Sequence, residues 1–343
     1  MMMSFENQET PTTANGKQRL SETILVTGGA GFIGSHLCAS LIRLGHNVIV
    51  IDLKIPELPI TGVRYVQGDV QNSELLAKLI SEVSTVYHFA ATVSVPLCQM
   101  NPVESYSNNF ISTLNVLEAL RTLGGNRRLV FASTAALYGN QGDDGHALRE
   151  EDTALQFNSF YAAQKHASEQ ALALYRVSYG INSIIFRFFN VFGEGQDPSS
   201  PYSGVITLFT RLAEKSLNMP LNDGGTQTRD FISVRDIVSA CTTALSLPSS
   251  AWDAKPINLG SGRTIEIRQL AEMVRKIYRA SSELVCVPAR DGDVRHSRAS
   301  IQRAKTVLDF APNCSLEEGL AQLYEIFSTD AVDNHLHRSP KPS

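Results

Sequence analysis

Tyr161 and Lys165 stand four residues apart in a stretch, Ser159 to Tyr179, whose apolar residues recur at helical spacing, so their side chains share one helix face. A tyrosine phenol ionises near pH ~10 and is a poor base at neutral pH. A cation about 4 Å away, at an effective dielectric near 20, favours its anion by roughly 4 kcal/mol, or about three pKa units. The pair suits proton transfer at neutral pH, with Tyr161 as acceptor and Lys165 as its activator. Thr134, in Ser133-Thr134 directly after the apolar run Leu129-Val130-Phe131-Ala132, adds a hydroxyl that can bond the same reacting oxygen and orient it. A Tyr-x-x-x-Lys spacing alone also describes the solvated face of an amphipathic helix. The chain in front of it makes the difference.

That chain starts with the apolar run Ile24-Leu25-Val26, then Thr27-Gly28-Gly29-Ala30-Gly31-Phe32-Ile33-Gly34, then a helical pattern through Leu37, Leu41 and Leu44. Gly29, Gly31 and Gly34 fit the dinucleotide fingerprint in the strand-turn-helix setting it requires. One glycine permits the tight turn, one lets backbone approach a pyrophosphate, and one lets the helix lie close on the strand. The helix N-terminus offers free N–H groups to the phosphates, which makes Gly28, Gly31, Phe32, Ile33 and Gly34 the expected contacts. The next run, Val48-Ile49-Val50-Ile51, ends in Asp52, placed to accept from an adenosine ribose and to repel a 2′-phosphate. That selects NAD over NADP, against a nearby Lys54. The positive charge of an oxidised nicotinamide is then a second activator of Tyr161.

The rhythm repeats through Val63–Gln67, Gly68-Asp69-Val70, a helical stretch from Ser73 to Ile80, and Val86–Ala91. A long helix from about Pro102 to Leu123, the strand 129–132, the Tyr161 helix and the strand 183–187 follow. Alternating apolar strands and helices imply an α/β fold, a doubly wound parallel Rossmann sheet with right-handed crossovers. After Gly193 a Gly-, Pro- and Ser-rich loop, 194–204, interrupts the alternation, so the expected division is a nucleotide domain over 21–193 and a smaller C-terminal lobe over 194–328. Helices are expected at 234–247 and 266–279, and a segment around 230–260 is expected to return to the first domain. Residues 1–20 and 329–343 lack apolar periodicity and read as flexible ends.

With 343 residues and 43% hydrophobic content the chain can bury a large core. A formal net charge of -4 supplies no basic field, so nucleic acid and anionic membrane are not expected partners. The cysteines at 38, 98, 241, 286 and 314 form no CxxC pair and no cluster with histidine, which argues against a disulfide framework and a metal site. No signal peptide or membrane span is legible, and a cytoplasmic protein is expected.

Taken together, Thr27–Gly34, Gly68-Asp69-Val70, His88-Phe89-Ala90-Ala91, Ser94-Val95-Pro96, Asn108-Asn109, Ser133-Thr134 with Tyr138-Gly139, Tyr161 to Lys165, and Arg187 to Gly193 give a resemblance from about Ile24 to Tyr324. The chain resembles the extended short-chain dehydrogenases/reductases, and most of all the nucleotide-sugar 4-epimerases related to UDP-glucose 4-epimerase. The resemblance implies Asp69 and Val70 at the adenine, Phe89, Ala90 and Ala91 along the pyrophosphate and nicotinamide ribose, and Asn108 near the cofactor. It also implies Ser133 as a cofactor contact, Phe189 beside the nicotinamide, and Lys165 on its ribose. In the second lobe it implies a grip on the substrate's nucleotide diphosphate by Asn190, Arg229, Arg290 and Asp293, with guanidinium forks suited to phosphate.

Departures narrow the chemistry. Ala135 and Ala136 follow Thr134 where related dehydratases place an acid and related decarboxylases commonly have Glu. Ser297 is small where some relatives wall the sugar pocket with a bulky side chain, which leaves room for an N-acetyl group. The implied reaction is inversion at C4 of a nucleotide-diphosphate sugar through a 4-keto intermediate, with NAD as cofactor and Thr134, Tyr161 and Lys165 as the catalytic set. The alternatives are a dehydratase, decarboxylase or reductase of the same superfamily, or a non-catalytic NAD-binding protein. A homodimer through the helices at about 102–123 and 158–178 is expected by resemblance.

Overall fold

The runs Ile24-Leu25-Val26 and Val48-Ile49-Val50-Ile51 have no polar face, and both are almost wholly buried strands. A strand aims alternate side chains at opposite faces, so such a run needs cover on both sides. The computed structural model describes residues 21–142, 145–151, 155–196, 204–289 and 294–336. Its strands are β1 (Thr23–Thr27), β2 (Asn47–Asp52), β3 (Val63–Gln67), β4 (Thr85–His88), β5 (Arg128–Thr134), β6 (Asn182–Phe188), β7 (Asn190–Phe192), β8 (Met219–Asn222), β9 (Thr228–Arg229), β10 (Phe231–Ser233), β11 (Asp253–Leu259), β12 (Ile265–Glu266), β13 (Leu284–Val287) and β14 (His296–Ser297). Its helices are α1 (Phe32–Arg43), α2 (Ser73–Ser81), α3 (Val95–Met100), α4 (Pro102–Tyr106), α5 (Ser112–Leu123), α6 (Phe160–Tyr179), α7 (Val205–Glu214), α8 (Val234–Ala244), α9 (Ile267–Ile277), α10 (Gln302–Leu308) and α11 (Leu316–Leu336).

Seven strands form one parallel sheet in the order β11-β6-β5-β4-β1-β2-β3. The doubly wound sheet is thus present as expected. Ile24, Val26, Val48 and Val50 face α1 and α8 through Leu37, Leu41, Ile237 and Cys241, whereas Leu25, Ile49 and Ile51 face α2 and α5 through Leu76, Leu79, Val116 and Leu120. From β1 the chain builds outward to β3, then returns to β4 and builds the other way. The gap between the carboxyl ends of β1 and β4 is therefore the switch point at which open α/β sheets bind ligands. The segment around 230–260 contributes β11 to this sheet and α8 against α1.

A second core gathers Phe192, Phe209, Met219, Leu221, Phe231, Leu270, Val274 and Leu320 from α7, α9, α11 and short strands. There β8 pairs with β13, β7 with β10, and β9 with both β12 and β14. Two local features depart from the sequence reading. The helix expected from Pro102 to Leu123 contains a π-turn at Ser107–Ile111 between α4 and α5. Helix α11 continues to Leu336, through the first part of the segment read as a flexible tail; residues 1–20 and 337–343 lie outside the described residues.

Candidate active site

The turn after β1 is held by backbone geometry that only glycine meets. Gly28 has φ +71°, and a Cβ there would lie 2.7 Å from the Ala90 nitrogen. A Cβ on Gly34 would collide with the Gly28 carbonyl oxygen, so the third glycine lets α1 start against the turn. Gly31 caps α1 without a side-chain bond. The N–H groups of the first helical turn thus face the switch point unpaired within the helix. Asp52 Oδ2 accepts from the Ala30 N–H at 3.1 Å, tying the carboxylate of β2 to the same turn. Asp69 Oδ1 accepts from the Gln71 N–H at 2.8 Å.

A cleft of about 660 Å³ opens over the switch point. Asp52, Asp69 and Val70, after β2 and β3, line one end of it, followed by Gly28, Gly31, Phe32, Ile33 and Gly34 after β1 and by Phe89, Ala90 and Ala91 after β4, with Asn108 also in the lining. Ser133, Thr134, Tyr161, Lys165 and Phe189 line the other end. The structure therefore brings to one cavity every residue that the sequence assigns to the cofactor, together with the catalytic set. Ser133 differs in one respect: its hydroxyl donates to Glu169 Oε1 at 2.5 Å, so its proton is committed to the protein. Asn108 is also engaged, donating to Thr92 Oγ1 at 3.1 Å and accepting from Gln71 Nε2 at 2.7 Å.

Thr27 stiffens the base of the cleft. Its Oγ1 accepts from the N–H groups of Phe89 and Ala90 at 3.2 and 3.1 Å, which leaves its own proton for His88 Nδ1 at 2.8 Å. His88 Nε2–H then faces Thr113 Oγ1 at 3.2 Å, and burial pushes this imidazole down to about 3, so it stays neutral.

At the Tyr161 end, Thr134 Oγ1 accepts from the Ala136 N–H at 3.1 Å, and its hydroxyl proton is left for the phenol oxygen of Tyr161, whose anion it favours. Lys165 Nζ donates to the Ala132 carbonyl at 2.8 Å and lies 4.7 Å from the Phe131 ring centroid. Electrostatics correct the sequence argument here. Burial pushes the Tyr161 phenol up to about 12, over the opposing effect of the Thr134 hydrogen bond. Burial also pulls the Lys165 ammonium down to about 8, against the Glu169 carboxylate. Helical spacing counts the charge of Lys165 but not the desolvation of both groups, and among the chain's own groups desolvation wins.

A second cavity of about 330 Å³ adjoins the first, and the two share Val191 and Gln196. Asn190 and Arg229 line it as expected for a nucleotide grip. Asn190 Nδ2 donates to the Asp230 carbonyl at 2.8 Å, and Arg229 Nη1 to the Thr228 carbonyl at 3.0 Å. Sequence reasoning missed Gln196, Asn222 and Gln227, which also line it. Gln227 stands two residues before Arg229, a proximity that could have found it, whereas Asn222 arrives from β8 by tertiary packing. Ser297, read as facing the sugar, is buried in β14 opposite Arg229 of β9 and lines neither cavity. Arg290 and Asp293 lie outside the described residues. Also unforeseen was the buried pair of Glu169 with Arg187, whose only sequence signal is a lone charge inside the apolar strand Ile184–Phe188. Among the described residues no cluster of His, Cys, Asp and Glu could hold a metal.

A family model described as the NAD dependent epimerase/dehydratase family matches residues 24–260. The chain is 30% identical to the UDP-glucose 4-epimerase of Thermotoga maritima solved with UDP-glucose, with a TM-score of 0.83 over 90% of this chain and 99% of that one. It is 31% identical to UDP-glucuronate 4-epimerase 4 of Arabidopsis thaliana over 87% of this chain and 73% of that protein. It is 28% identical to the UDP-N-acetyl-alpha-D-glucosaminuronate decarboxylase of Bacillus cytotoxicus, over 90% of this chain and 98% of that protein.

Proposed function

The chain belongs to the NAD-dependent epimerase/dehydratase family, and we propose that within it the protein inverts C4 of a UDP-hexose, N-acetylated or not, through a transient 4-keto sugar. The observation that carries this reading is the Tyr161–Thr134 pair at the end of the cofactor cleft, followed by Ala135 and Ala136 rather than by an acid that could drive elimination. The glycine cradle of Gly28 and Gly34, the open N-terminus of α1 and the Asp52 carboxylate fit an NAD dinucleotide. When bound, NAD supplies reversible oxidation of the C4 carbinol and is restored in each turnover.

Tyr161 takes the C4 hydroxyl proton and returns it to the same C4 oxygen once the keto sugar has turned over, and Thr134 orients that oxygen. Lys165, anchored on the Ala132 carbonyl, presents an ammonium to the nicotinamide ribose. Asn190 and Arg229 grip the nucleotide in the adjoining cavity while the sugar turns, and Arg290 and Asp293 belong to the same proposed grip. In this division 21–193 with the return at 230–260 holds the cofactor, and 194–328 mainly the substrate. Exposed apolar side chains at Met100, Val103, Tyr106 and Ile111, and at Leu174 and Val177 of α6, support association with a second copy through these helices. Five free cysteines suit a reducing, cytoplasmic setting, and no helix among the described residues is long and apolar enough to cross a membrane.

The similarity to a decarboxylase supports a second reading in which C6 leaves as carbon dioxide. One experiment separates the two. Purified protein is incubated with UDP-glucose, UDP-N-acetylglucosamine, UDP-glucuronate and UDP-N-acetylglucosaminuronate, and products are separated by chromatography and weighed. A product of unchanged mass is expected, and Tyr161→Phe should abolish it while NAD stays bound; loss of carbon dioxide would install the second reading.

A further inference from the structure

Tyr161, Lys165 and Glu169 recur at four-residue intervals on the inner face of α6, and all three are buried. Each meets one of three consecutive residues at the end of β5. The Ala132 carbonyl accepts from Lys165 Nζ at 2.8 Å, the Ser133 hydroxyl donates to Glu169 Oε1 at 2.5 Å, and the Thr134 hydroxyl faces the Tyr161 phenol and favours its anion. Catalytic helix and strand end are thus registered at three adjacent points, two of them through charged groups, Lys165 and Glu169.

Glu169 is itself fixed from β6. Arg187 Nε donates to Oε1 at 2.9 Å and Nη2 to Oε2 at 2.7 Å, a two-pronged fork. The third prong, Nη1, donates to the Tyr138 hydroxyl at 2.8 Å, which donates in turn to Asn258 Oδ1 at 2.7 Å. A buried ion pair is a weak source of stability, because desolvation consumes most of the attraction and an apolar pair of the same volume often serves as well. Its position therefore needs another reason. Facing Lys165 are Tyr161 and Glu169 on its own helix, Cys98 on α3, neutral His88 on β4, and the Phe131 ring and Ala132 carbonyl on β5. Arg187 reaches this group through Glu169. Glu169 is the carboxylate in that set, and it favours the Lys165 proton against burial.

We propose that Glu169 is a positioning residue for the reaction, locking α6 onto residues 132–134 and setting a carboxylate beside Lys165 so that its ammonium persists in a buried site. The inference rests on the reading of Tyr161 and Lys165 given under Proposed function. Arg187 holds Glu169 in place, and Ser133, although it borders the cleft, serves this lock.

The test uses the NAD-loaded enzyme and the variants Glu169→Gln, which keeps shape and acceptor but drops charge, and Glu169→Asp, which keeps charge. Two quantities are read: the pH dependence of kcat, and the titration of Lys165 followed by NMR in protein labelled with carbon-13 at the lysine ε position, assigned with Lys165→Met. In Glu169→Gln the Lys165 titration and the alkaline fall of kcat should both move to lower pH by about one unit, with KM for the nucleotide sugar unchanged and with Glu169→Asp restoring the wild-type limb. A kcat lowered equally at every pH, with the Lys165 titration unmoved, would reduce Glu169 to a structural ion pair and overturn the proposal. If wild type turns over no UDP-sugar, the proposed reaction fails, yet the NMR titration still decides whether Glu169 sustains the ammonium. If Glu169→Gln does not fold, Ser133→Ala, which removes one hydrogen bond and no charge, decides: wild-type kcat with no loss of order at Tyr161 and Lys165 refutes the lock.

Discussion

Lys165→Met should make the NAD-free protein more stable at neutral pH while destroying its activity. Burial brings the Lys165 ammonium from its ordinary 10.5 down to about 8. At about 1.4 kcal/mol per pH unit, keeping that proton in the folded chain costs about 3 kcal/mol. The hydrogen bond to Ala132 and the contact with the Phe131 ring return about 1 kcal/mol, so a net gain of about 2 kcal/mol is expected when the ammonium is replaced by an apolar chain of similar reach. The sign depends on pH in a defined way. Below pH 8 folded and unfolded chains both hold the proton and the full cost is present. Between 8 and 10.5 the unfolded chain binds more protons than the folded one, so wild-type stability rises with pH and the advantage of the variant shrinks. Above that window the cost is gone and the variant, lacking the polar contacts, falls slightly behind.

Urea unfolding of both proteins without added cofactor, across this range, measures the gap directly, and turnover should drop by a factor on the order of 10² or more. A variant no more stable than wild type at pH 7, or a gap that stays constant from pH 7 to 10, would refute the account of Lys165 as a charge held against desolvation.

Gly34→Ala sets a methyl against the Gly28 carbonyl, so the turn must open and NAD affinity should fall at least about tenfold by calorimetry, with the fold retained; wild-type affinity would contradict the close approach of α1 to the turn. Asp52→Asn keeps the shape that accepts from Ala30 but removes the charge facing a ribose 2′-phosphate, and the preference for NAD over NADP should fall by about tenfold in competition titrations. Tyr161, pushed up to about 12 in the chain's own field, should ionise at lower pH once oxidised NAD is added, seen as a tyrosinate difference spectrum that Tyr161→Phe lacks.

What could be read in advance was what depends on local spacing. The turn Thr27–Gly34, Asp52 at the end of its strand, and the four-residue step from Tyr161 to Lys165 are each fixed by a few consecutive dihedrals, and the structure places all of them in one cleft. The parallel sheet followed from strands without a polar face. What escaped was set by partners distant in the chain. Ser133 lines the cleft as its position predicts, but that its hydroxyl proton goes to Glu169, on a different element, could not be read from spacing. Asn222 and Gln196 meet at the second cavity only because the smaller lobe packs β8 and the loop after β7 together. Ser297 was placed by counting from Asp293, and in the structure it is buried in β14, paired with Arg229 of β9, outside the lining of both cavities. The π-turn in the Asn108 helix has no mark in its sequence, since an extra residue in one turn leaves the apolar periodicity almost intact.

The same contrast between spacing and burial decides how Tyr161 can be a base. The spacing argument supplies an activating charge, Lys165, yet burial lifts the phenol from its ordinary 10.0 to about 12. Those two pH units are worth about 3 kcal/mol against the phenolate. A single positive charge at an effective dielectric near 20 returns that much only from within about 6 Å of the phenol oxygen. Arg187, buried on β6, is paired with Glu169 by a two-pronged fork and adds little net positive charge at the phenol. In the proposed reaction an oxidised nicotinamide would supply the further charge, and the proton affinity of the phenol would follow the oxidation state of the cofactor: low when a C4 hydroxyl must lose its proton, and high when a 4-keto oxygen must regain one.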